Sequence, residues 1–493
     1  MTHTALDLAN FCKRKGFIYP SSEIYGGLAG FYDYGHLGTL LKHNFENAWR
    51  NYFLKLDRNY FEIDAANIMH ESVFKASGHL DNFSDPSINC SKCDFSERAD
   101  HFIQSATKQR VEGFSPEELT ALVEKDKLVC PKCKSKFKPV TALNMMFPLQ
   151  LGVGSASRGF LRPETAQSPY VNFKLQYELQ RKKLPLGLAL IGKAYRNEIS
   201  PRNLTLRQRE FTQAELQIFF NPNNIGKHPD FASVKNYKLR VLLEEDRKKN
   251  LPVERTAAEL LKKGLPEFYV YHLVKIQQFY FDVMGVPAVK FRLYQLDDKE
   301  KAFYNKYHFD IEVELADHGF TEVGGLHYRT DHDLGGHQRV SKQSMEILEE
   351  ASGQRFVPHV LEVSFGVDRN VYTLLDLAYD DDKKRGNIAL HLPSTMTPFF
   401  CAVFPLVKNR EEVVGKAEEV DSLLRKNGFS PLYDEVASIG RRYARADEIG
   451  VRYCITIDFD SLNDRAVTVR DRDTTEQKRV AIEKLAEYLQ GLR

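Results

Sequence analysis

Two strand-like runs between residues 186 and 220, separated by the turn-forming cluster Ser200-Pro201-Arg202-Asn203, constrain the fold more than any other feature. Runs joined by such a cluster pair antiparallel, so the sequence predicts a long hairpin with an extended tip. In the second run Ala214, Leu216 and Ile218 share one strand face, and odd-numbered polar residues share the other. The sequence therefore predicts an antiparallel sheet with one apolar face that packs on a core and one polar face that carries functional side chains.

The 493 residues exceed one ordinary core, which predicts two or three domains. The net charge of +2 neither demands nor excludes a polyanionic partner, because binding depends on clustered cations. No run of about eighteen apolar residues is present, and the N-terminus lacks the marks of a secretory or transit segment. We therefore expect a soluble, cytoplasmic protein without a membrane partner.

The order of patterns along the chain predicts an α+β protein with two domains. Residues 1–390 form the first domain, interrupted by a cysteine-bearing insertion at 86–140 and a charged helical insertion at 225–305. Within it, apolar spacing predicts a helix over 36–56. Residues 391–493 form the second domain.

The second domain alternates strands and helices, which is typical of an α/β unit. The predicted strands include Phe399 to Phe404 and Tyr453 to Ile457, and the predicted helices include Glu411 to Lys426. In the first domain, a strand is predicted from Tyr60 to Met69.

Four of the seven cysteines form two CxxC pairs, Cys90 with Cys93 and Cys130 with Cys133. Each pair has the spacing of a loop that supplies two thiolates to a tetrahedral zinc site. A helix over Ser115 to Lys125 would fit between the pairs. Four thiolates leave no position open for water, so the predicted zinc is structural; the alternative is four unligated thiols.

The polar face of the hairpin is rich in groups that bind nucleotides. Arg196 and Glu198 project together from the first strand, and Arg209 and Phe211 share a face of the second. The planar guanidinium of arginine can donate two parallel hydrogen bonds to phosphate oxygens, and a phenyl ring can stack on a purine. The alternative is a solvated sheet face with cross-strand ion pairs.

A second anion-binding feature follows Glu362, where a strand runs into a helix with the apolar stripe Val367, Val371, Leu374, Leu375 and Ala378. Arg369 falls in the first turn of this helix. An arginine beside a helix N-terminus suits a bound phosphate, although a purely structural arginine is the alternative.

These segments resemble a known family. Arg196-Asn197-Glu198 with Arg207 to Phe211 resembles motif 2 of class II aminoacyl-tRNA synthetases, and Gly366 to Arg369 resembles motif 3. Arg162 to Gln167, the stretch from Arg196 to Glu215, and Glu362-x-Ser364-x-Gly366 resemble glycyl-tRNA synthetases of the dimeric archaeal or eukaryotic type. The resemblance implies a class II catalytic domain, with an antiparallel sheet flanked by helices, and a C-terminal anticodon-binding domain.

The resemblance also implies roles for individual residues. Catalytic roles fall on Arg196, Glu198 and Arg369. The implied ATP site comprises Arg196, Asn197, Glu198, Leu206, Arg207, Arg209, Phe211, Glu322, Val323, Gly366 and Arg369, with Glu322 acting through Mg²⁺. The implied glycine site comprises Arg98, Glu164, Phe211, Gln213, Glu215, Arg329, Glu362 and Ser364. The implied metal ligands for zinc are Cys90, Cys93, Cys130 and Cys133.

The implied reaction joins glycine to tRNA(Gly) through glycyl-adenylate, with ATP consumed and pyrophosphate released. Glycine offers only an ammonium and a carboxylate, so several carboxylates around the cation and an arginine opposite form a coherent site. Alanine would be excluded by steric closure. The family further implies a homodimer.

In the second domain, the implied contacts with tRNA fall on a basic run. Its members are Arg441, Arg442, Arg445, Lys478 and Arg479. Phosphate and single-stranded loop recognition would use such charges, and the alternative is an ordinary solvated face.

The sequence departs from the family in four places, one of which is the unusual Ser168-Pro169-Tyr170 after Arg162 to Gln167. Val363 stands where proline is usual, Leu204 where glycine is usual, and the proline expected near residues 64–70 is missing. Two other functions stay open: a synthetase for serine, threonine or proline, and a non-catalytic RNA-binding relative that kept the fold.

Overall fold

A computed structural model describes residues 3–109, 111, 113–152, 157–249, 251–302, 304–350, 353–382 and 386–492. None of the helices in these ranges combines the length and the apolar composition that crossing a lipid bilayer requires.

The elements up to residue 161 build the N-terminal hairpin, the first long helix and the cysteine module. The helices are α1 (Ala5–Lys15), α2 (His36–Phe53), α3 (Glu71–Ala76), α4 (His79–Asn82), α5 (Ala99–Thr107) and α6 (Pro116–Lys125). The strands are β1 (Ile18–Pro20), β2 (Tyr32–Tyr34), β3 (Tyr60–Glu62), β4 (Ile68–His70), β5 (Ser84–Asn89), β6 (Ser96–Arg98), β7 (Thr141–Asn144), β8 (Phe147–Leu151) and β9 (Ser157–Leu161).

The elements from residue 162 to residue 390 supply most of the central sheet. The helices are α7 (Gln167–Leu179), α8 (Phe231–Val234), α9 (Ala257–Lys262), α10 (Glu267–Gln278), α11 (His332–Ser341) and α12 (Val367–Ala378). The strands are β10 (Leu186–Tyr195), β11 (Glu210–Phe220), β12 (Lys238–Leu242), β13 (Val253–Thr256), β14 (Phe291–Gln295), β15 (Tyr307–Leu315), β16 (Gly319–Thr330), β17 (Ile347–Glu349), β18 (Gln354–Phe356), β19 (His359–Gly366), β20 (Tyr379–Asp382) and β21 (Asn387–Leu390).

The elements after residue 390 form a second α/β unit. The helices are α13 (Glu411–Lys426), α14 (Ile439–Glu448), α15 (Ser461–Asp464) and α16 (Leu485–Gln490). The strands are β22 (Cys401–Pro405), β23 (Leu432–Tyr433), β24 (Tyr453–Ile457), β25 (Ala466–Asp471) and β26 (Gln477–Ala481).

A nine-stranded sheet forms the centre of the molecule, in the order β13-β12-β14-β15-β16-β19-β11-β10-β3. Its core strands pair antiparallel, and only the β12–β14 and β10–β3 pairs are parallel. The predicted hairpin is confirmed as β10 and β11, in register from Leu186 opposite Phe219 to Tyr195 opposite Glu210. The α+β class follows from this sheet.

One face of β11 packs on the core and the other faces the polar side of the sheet, as the alternation predicts. Ala214, Leu216 and Ile218 are fully buried in the main core, on which α2 and α12 also pack. At the centre of this core, Phe365 of β19 lies 5.2 Å from Phe53 of α2 between ring centroids. The predicted helix over 36–56 is confirmed as α2.

Two predicted elements differ from the structure. The strand predicted from Tyr60 to Met69 is two strands, β3 and β4, separated by an irregular stretch at 63–67. The segment 225–305, predicted as a helical insertion, contains β12, β13 and β14 as well as helices, and these strands extend the central sheet. Lys238 and Arg240 alternate with buried Leu239 and Val241, which is the pattern of a strand near a sheet edge.

The cysteine module has a small core of its own. Strands β6-β5-β7 form a three-stranded sheet, and α5 and α6 pack against it around Ile88, Ile103 and Leu119. Helix α6 begins with a capping box in which Ser115 accepts from the Glu118 amide, so the helix predicted between the cysteine pairs is confirmed.

The second α/β unit has a core of its own, formed around β22, β24 and α13. Its five-stranded sheet runs β23-β22-β24-β25-β26, parallel on the β22 side and antiparallel on the β25 side. The predicted strand at Tyr453 to Ile457 and the helix at Glu411 to Lys426 match β24 and α13. Arg472 donates to Leu392 O at 2.8 Å, which ties the segment after β21 to this unit.

Helix α11 follows β16 and packs against the end of α3 through a glycine. A Cβ at Gly336 would lie 2.2 Å from Ala76 O, a backbone atom that cannot move aside. At the neighbouring Gly335, a Cβ would meet only the flexible end of Arg339 at 3.3 Å. The close approach of α3 and α11 therefore requires glycine at one position and tolerates a side chain at the other.

Gly336→Ala should destabilise the first domain by about 1–3 kcal/mol through overpacking. Gly335→Ala in the same helix is the matched control and should be neutral or stabilising by up to about 1 kcal/mol, since alanine favours a helix over glycine. Calorimetric unfolding midpoints measure both. Equal midpoints for the two variants would contradict the close packing of α3 on α11.

Candidate active site

A cleft of about 340 Å³ opens on the polar face of the central sheet, between β11, β15, β16, β19 and the first turn of α12. The structure brings most of the residues named from the sequence together here. They are Glu164, Arg196, Glu198, Leu206, Arg207, Phe211, Gln213, Glu215, Glu322, Val323, Arg329, Glu362, Ser364, Gly366 and Arg369.

Three residues named from the sequence do not line this cleft. Asn197 follows the end of β10, and its backbone amide donates to Met145 O at 2.8 Å. The Arg209 guanidinium turns away and donates to Glu198 O and Ala29 O. Arg98 lies in the cysteine module, where Asp85 and Asp100 bind its guanidinium. These three residues are not among those that line the cleft, and their roles in binding stay predictions.

Arg196 is held at the mouth of the cleft between two aromatic rings. Its Nε donates to Pro163 O at 3.0 Å, and its guanidinium lies 5.3 Å from the Phe211 ring centroid and 5.5 Å from that of Phe83. Cation–π contacts and the carbonyl fix the planar fork while leaving donors free for an anion. Phe211 presents a flat surface beside this charge.

Arg207 and Arg369 complete a set that we call the basic arm: Arg196, Arg207 and Arg369. Arg207 Nε lies 3.0 Å from Glu198 Oε2. Arg369, in the first turn of α12 as predicted, donates through Nε to Leu206 O at 3.1 Å and pairs with Glu322 at 3.1 Å. Carboxylates and carbonyls thus preorganise the arm.

At the other end of the cleft are three glutamates that we call the acidic pocket: Glu164, Glu215 and Glu362. Glu215 is almost completely buried, and four side chains donate to it: Thr165 Oγ1 at 2.7 Å, Gln213 Nε2 at 2.8 Å, Ser364 Oγ at 2.9 Å and Gln217 Nε2 at 3.4 Å. Burial, and then the charges of Glu362 and Glu164, raise the pKa of Glu215 to about 8.

Glu362 is held in the opposite protonation state. Its Oε2 accepts from Arg329 at 3.0 Å and from Gln217 at 2.8 Å, and its Oε1 lies 2.5 Å from His327 Nδ1. Burial opposes the charge, but Arg329 and His327 outweigh it and lower the pKa of Glu362 to about 2.

Arg329 is the buried cation of the acidic pocket. Its guanidinium lies 2.8 Å from Asp333, 3.0 Å from Glu362 and 3.5 Å from Glu164. Despite burial, these carboxylates raise its pKa well above the usual range. Because carboxylates surround it, Arg329 in this structure orients the acidic pocket, whereas the resemblance implied a direct contact with a substrate carboxylate.

The balance of charge in this region favours a cation. Arg329 faces Asp333, Glu164 and Glu362, and the Glu215 carboxyl lies next to them without a cation of its own among the described contacts. Burying a further positive group would relieve the mutual repulsion of the carboxylates. The pocket can therefore hold an ammonium.

The structure adds residues that the sequence reasoning missed. Asp333 binds Arg329 across the turn from β16 into α11, and the helical four-residue spacing rule does not apply to such a pair. Gln167 donates to both Glu164 and Asp333. On β15, the alternation of Phe309 and Ile311 with polar residues could have indicated Asp310, which lines the cleft.

The four cysteines of the CxxC pairs converge in the cysteine module. Their sulfurs all lie within 4.8 Å of one another, with Cys90 3.4 Å from Cys133 and Cys93 3.6 Å from Cys130. A tetrahedral site with metal–sulfur bonds of ~2.3 Å places its sulfurs about 3.8 Å apart. The arrangement fits a metal ion.

The basic run in the second α/β unit separates into different roles. Arg442 is buried and donates to Pro405 O, to Leu406 O at 3.0 Å and to Asp434 O at 3.3 Å, so it braces the fold. Arg445 pairs with Asp434, and Arg479 pairs with Asp458 and Asp464. Arg441 and Lys478 remain exposed.

Comparison with known proteins identifies relatives over the whole chain. The glycine–tRNA ligase of Thermococcus gammatolerans is 39% identical over 565 residues, covering 98% of this chain and 98% of the relative. The chain belongs to the glycine–tRNA ligase family. The ligases of Methanothermobacter thermautotrophicus and Aeropyrum pernix are 37% and 35% identical, each over 98% of this chain and over 98% and 95% of their own lengths.

The fold agrees with this membership of the glycine–tRNA ligase family. Residues 401–492 match the family model described as anticodon binding domain. A solved prolyl-tRNA synthetase from Cryptosporidium parvum matches with a TM-score of 0.57 and 13% identity, over 98% of this chain and 74% of that chain. The predicted class II synthetase fold and the resemblance to glycyl-tRNA synthetases are confirmed, and the chain is an aminoacyl-tRNA ligase.

Because the pKa of Glu215 is raised, we expect the stability of the folded protein to depend on pH. A carboxyl with a folded pKa of about 8 and an unfolded pKa of 4.5 favours folding fully below pH 4.5, and the contribution is lost as pH rises to 8. Glu215→Gln keeps the neutral shape at every pH. The unfolding midpoint of Glu215→Gln should therefore rise relative to the parent protein between pH 5 and pH 8.5.

Calorimetry at the two pH values measures this difference. Glu210→Gln is the control, because Glu210 on the same strand is half-exposed and pairs with Lys193. A Glu215→Gln midpoint that falls relative to the parent protein as pH rises would contradict a buried, neutral Glu215.

Proposed function

We propose that the cleft binds glycine and ATP, forms glycyl-adenylate with release of pyrophosphate, and transfers glycine to the 3′ end of tRNA(Gly). The observation that carries this proposal is the placement of the acidic pocket and the basic arm in one cleft. An amino acid seated by its ammonium in the pocket directs its carboxylate toward a triphosphate on the arm.

Glycine recognition rests on the acidic pocket. The ammonium takes its place among Glu164, Glu215 and Glu362, with Ser364 and Gln213 orienting Glu215. Ammonium binding favours the ionised form of Glu215, so the proton that this carboxyl holds below pH 8 leaves as glycine enters. Exclusion of larger amino acids by size is part of this proposal.

ATP recognition rests on Phe211 and the basic arm. The adenine stacks on Phe211, which already packs beside Arg196 at 5.3 Å. Arg196 and Glu198 contact the α-phosphate and adenosine side of ATP. Arg207 and Arg369 bind the outer phosphates. Leu206, Val323 and Gly366 line the walls of this part of the cleft.

The residues present also fit a magnesium ion. Asp310 and Glu322 line the cleft beside the basic arm, and burial together with neighbouring carboxylates raises the pKa of Asp310 to about 6. Carboxylate oxygens next to phosphates are the ligands that Mg²⁺ prefers. Asp310 and Glu322 would hold the ion, which would neutralise charge on the phosphates when bound.

The chemistry proceeds without a protein nucleophile. An oxygen of the glycine carboxylate attacks the α-phosphorus, the bond to the bridging oxygen breaks, and pyrophosphate leaves. The 3′-terminal ribose hydroxyl of tRNA then attacks the carbonyl carbon of the adenylate, the bond from that carbon to the phosphate oxygen breaks, and AMP leaves with the hydroxyl proton. The basic arm stabilises the charge that develops on the phosphoryl oxygens, and the acidic pocket fixes the attacking carboxylate.

In this proposal residues 1–390 carry catalysis and residues 391–493 bind the anticodon region of tRNA(Gly). The match of residues 401–492 to the anticodon binding domain supports this division. Among the basic run, Arg441 and Lys478 are the exposed candidates for phosphate contacts, since Arg442, Arg445 and Arg479 engage protein groups.

We also propose that the four clustered cysteines hold a structural zinc ion. A closed set of four thiolates would tie the two CxxC loops together and leave no position open for water. The core of the module is small, so a metal would supply much of its stability.

We propose that the protein assembles as a homodimer. Its cytoplasmic location stays a prediction. Helix α7 supports a partner surface, because Val171, Leu175 and Leu179 form an exposed apolar stripe at four-residue spacing. A monomer at micromolar concentration in sedimentation equilibrium would contradict the dimer, and recovery outside the cytosolic fraction would contradict the location.

ATP–pyrophosphate exchange tests the proposed reaction. Glycine should stimulate exchange, whereas alanine, serine, threonine and proline should not. Arg369→Ala should lower the exchange rate by about 10³-fold or more, since it removes an arginine that stabilises phosphoryl charge. Glu164→Gln should raise the KM for glycine by about 10- to 100-fold, the strength of a charged hydrogen bond, with little change in the KM for ATP.

Arg355→Ala is the matched control, because Arg355 is an exposed arginine on β18 that does not line the cleft. It should exchange at the parent rate. Stimulation by serine, threonine or proline in place of glycine would assign the protein to another substrate, and normal exchange by a folded Arg369→Ala would refute the role of the basic arm.

Metal analysis tests the zinc proposal. Protein purified without chelator should contain about one zinc ion per chain, and Cys130→Ser should lose it and become sensitive to trypsin within the cysteine module. Cys454→Ala, in the other domain, should keep the metal. Less than about a tenth of an equivalent of zinc in the parent protein would overturn the proposal.

A further inference from the structure

The turn between α3 and α4 places a histidine against the acidic pocket. Ser77 ends α3, Gly78 follows in the left-handed region at a φ of 80°, and His79 begins α4. Both Ser77 and His79 are largely buried. The end of α3 rests on α11, which carries Asp333, so the turn is fixed to the same framework as the pocket.

The His79 imidazole connects two groups through its two nitrogens. Its Nδ1 lies 2.7 Å from Ser77 Oγ, and its Nε2 lies 3.7 Å from Glu164 Oε1. If Ser77 donates to Nδ1, the proton of a neutral imidazole lies on Nε2 and points to the carboxylate. Phe74 and Phe83 pack edge-on against the ring at 6.2 Å and 5.4 Å and restrict its rotation.

The contacts that the described residues make to Glu164 all fall on one oxygen. Oε1 accepts from Gln167 at 2.8 Å, faces Arg329 at 3.5 Å and faces His79 at 3.7 Å. Because three groups converge on Oε1, the carboxylate cannot rotate freely. Oε2 has none of these contacts, and Glu164 lines the cleft. Arg329 and His79 also hold the pKa of Glu164 well below its usual range, against the effect of burial.

We propose that His79, oriented by Ser77, is a positioning residue that fixes the Glu164 carboxylate so that Oε2 receives the ammonium of the amino-acid substrate. The inference rests on the proposed role of Glu164 in glycine binding. His79 touches neither glycine nor ATP in this arrangement and acts through Glu164. The tripeptide Ser77-Gly78-His79 thereby gains a function: the glycine provides the turn that brings the serine and the imidazole together.

Substitution of His79 by glutamine or by asparagine tests the two ring nitrogens one at a time. Glutamine can place a donor where Nε2 lies and so replaces the contact with Glu164, whereas asparagine replaces only the nitrogen near Ser77. His79→Ala and His79→Asn should raise the KM for glycine about tenfold, with kcat and the KM for ATP changed less than threefold. His79→Gln should restore the KM for glycine to within about threefold of the parent value.

His70→Ala is the control for a merely structural effect. His70 is exposed, and its Nδ1 caps α3 by accepting from the Ser72 amide, so its loss loosens the same segment without touching Glu164. It should lower the unfolding midpoint slightly and leave the KM for glycine unchanged. A rise in KM for His70→Ala equal to that for His79→Ala would show that helix stability alone explains the effect.

A double-mutant cycle separates this inference from the proposed function. If His79 acts through Glu164, then His79→Ala combined with Glu164→Gln should bind glycine no worse than Glu164→Gln alone. A normal KM for glycine in Glu164→Gln would refute the role of Glu164 itself. A raised KM in Glu164→Gln with a normal KM in His79→Ala, or additive effects in the double variant, would overturn only the role of His79.

Discussion

The acidic pocket depends on the ion pairs of Arg329. Its guanidinium lies within 3.5 Å of Asp333, Glu362 and Glu164, and it is almost completely buried with them. Burying carboxylates costs free energy that only an opposing charge and hydrogen bonds can offset. Removal of Arg329 would leave three carboxylates repelling one another beside Glu215, so the shape and the charge of the pocket both depend on this residue.

The central sheet brings these groups together from distant parts of the chain. Ser364 of β19 lies opposite Glu215 of β11 in one strand pair and opposite Gly325 of β16 in another. A Cβ at Gly324 would lie only 2.6 Å from Ser364 O, so β16 and β19 approach closely at the floor of the cleft. Register therefore sets the distances between functional groups, and a one-residue slip would move every one of them to the core face.

Much of this arrangement was predictable where a local pattern carries the information. The alternation along 210–220 assigns each side chain of β11 to a face, and the strand-to-helix pattern places Arg369 in a first turn. The convergence of Arg329 with Glu164 was not readable from spacing, since 165 positions separate them. Leu239, Leu242 and Leu243 fit a helical spacing as well as a strand, which explains why β12 was predicted as helix. The basic run could not predict that Arg442 is buried, because its hydrogen bonds to Pro405 O and Leu406 O depend on the tertiary fold.

The three glutamates of the acidic pocket share a residue type but differ in ionisation, and this difference follows from their partners. Glu362 has Arg329 and His327, which lower its pKa to about 2, and Glu164 has Arg329 and His79. Glu215 receives only neutral donors, and its pKa is raised to about 8. Two of the carboxylates are therefore charged before a substrate arrives, while Glu215 changes its charge near neutral pH. A pocket built this way avoids three unscreened charges when empty and gains the third when a cation enters. The donors around Glu215, rather than its burial alone, allow both states: Ser364, Thr165 and Gln213 hydrogen-bond to the carboxylate once it forms.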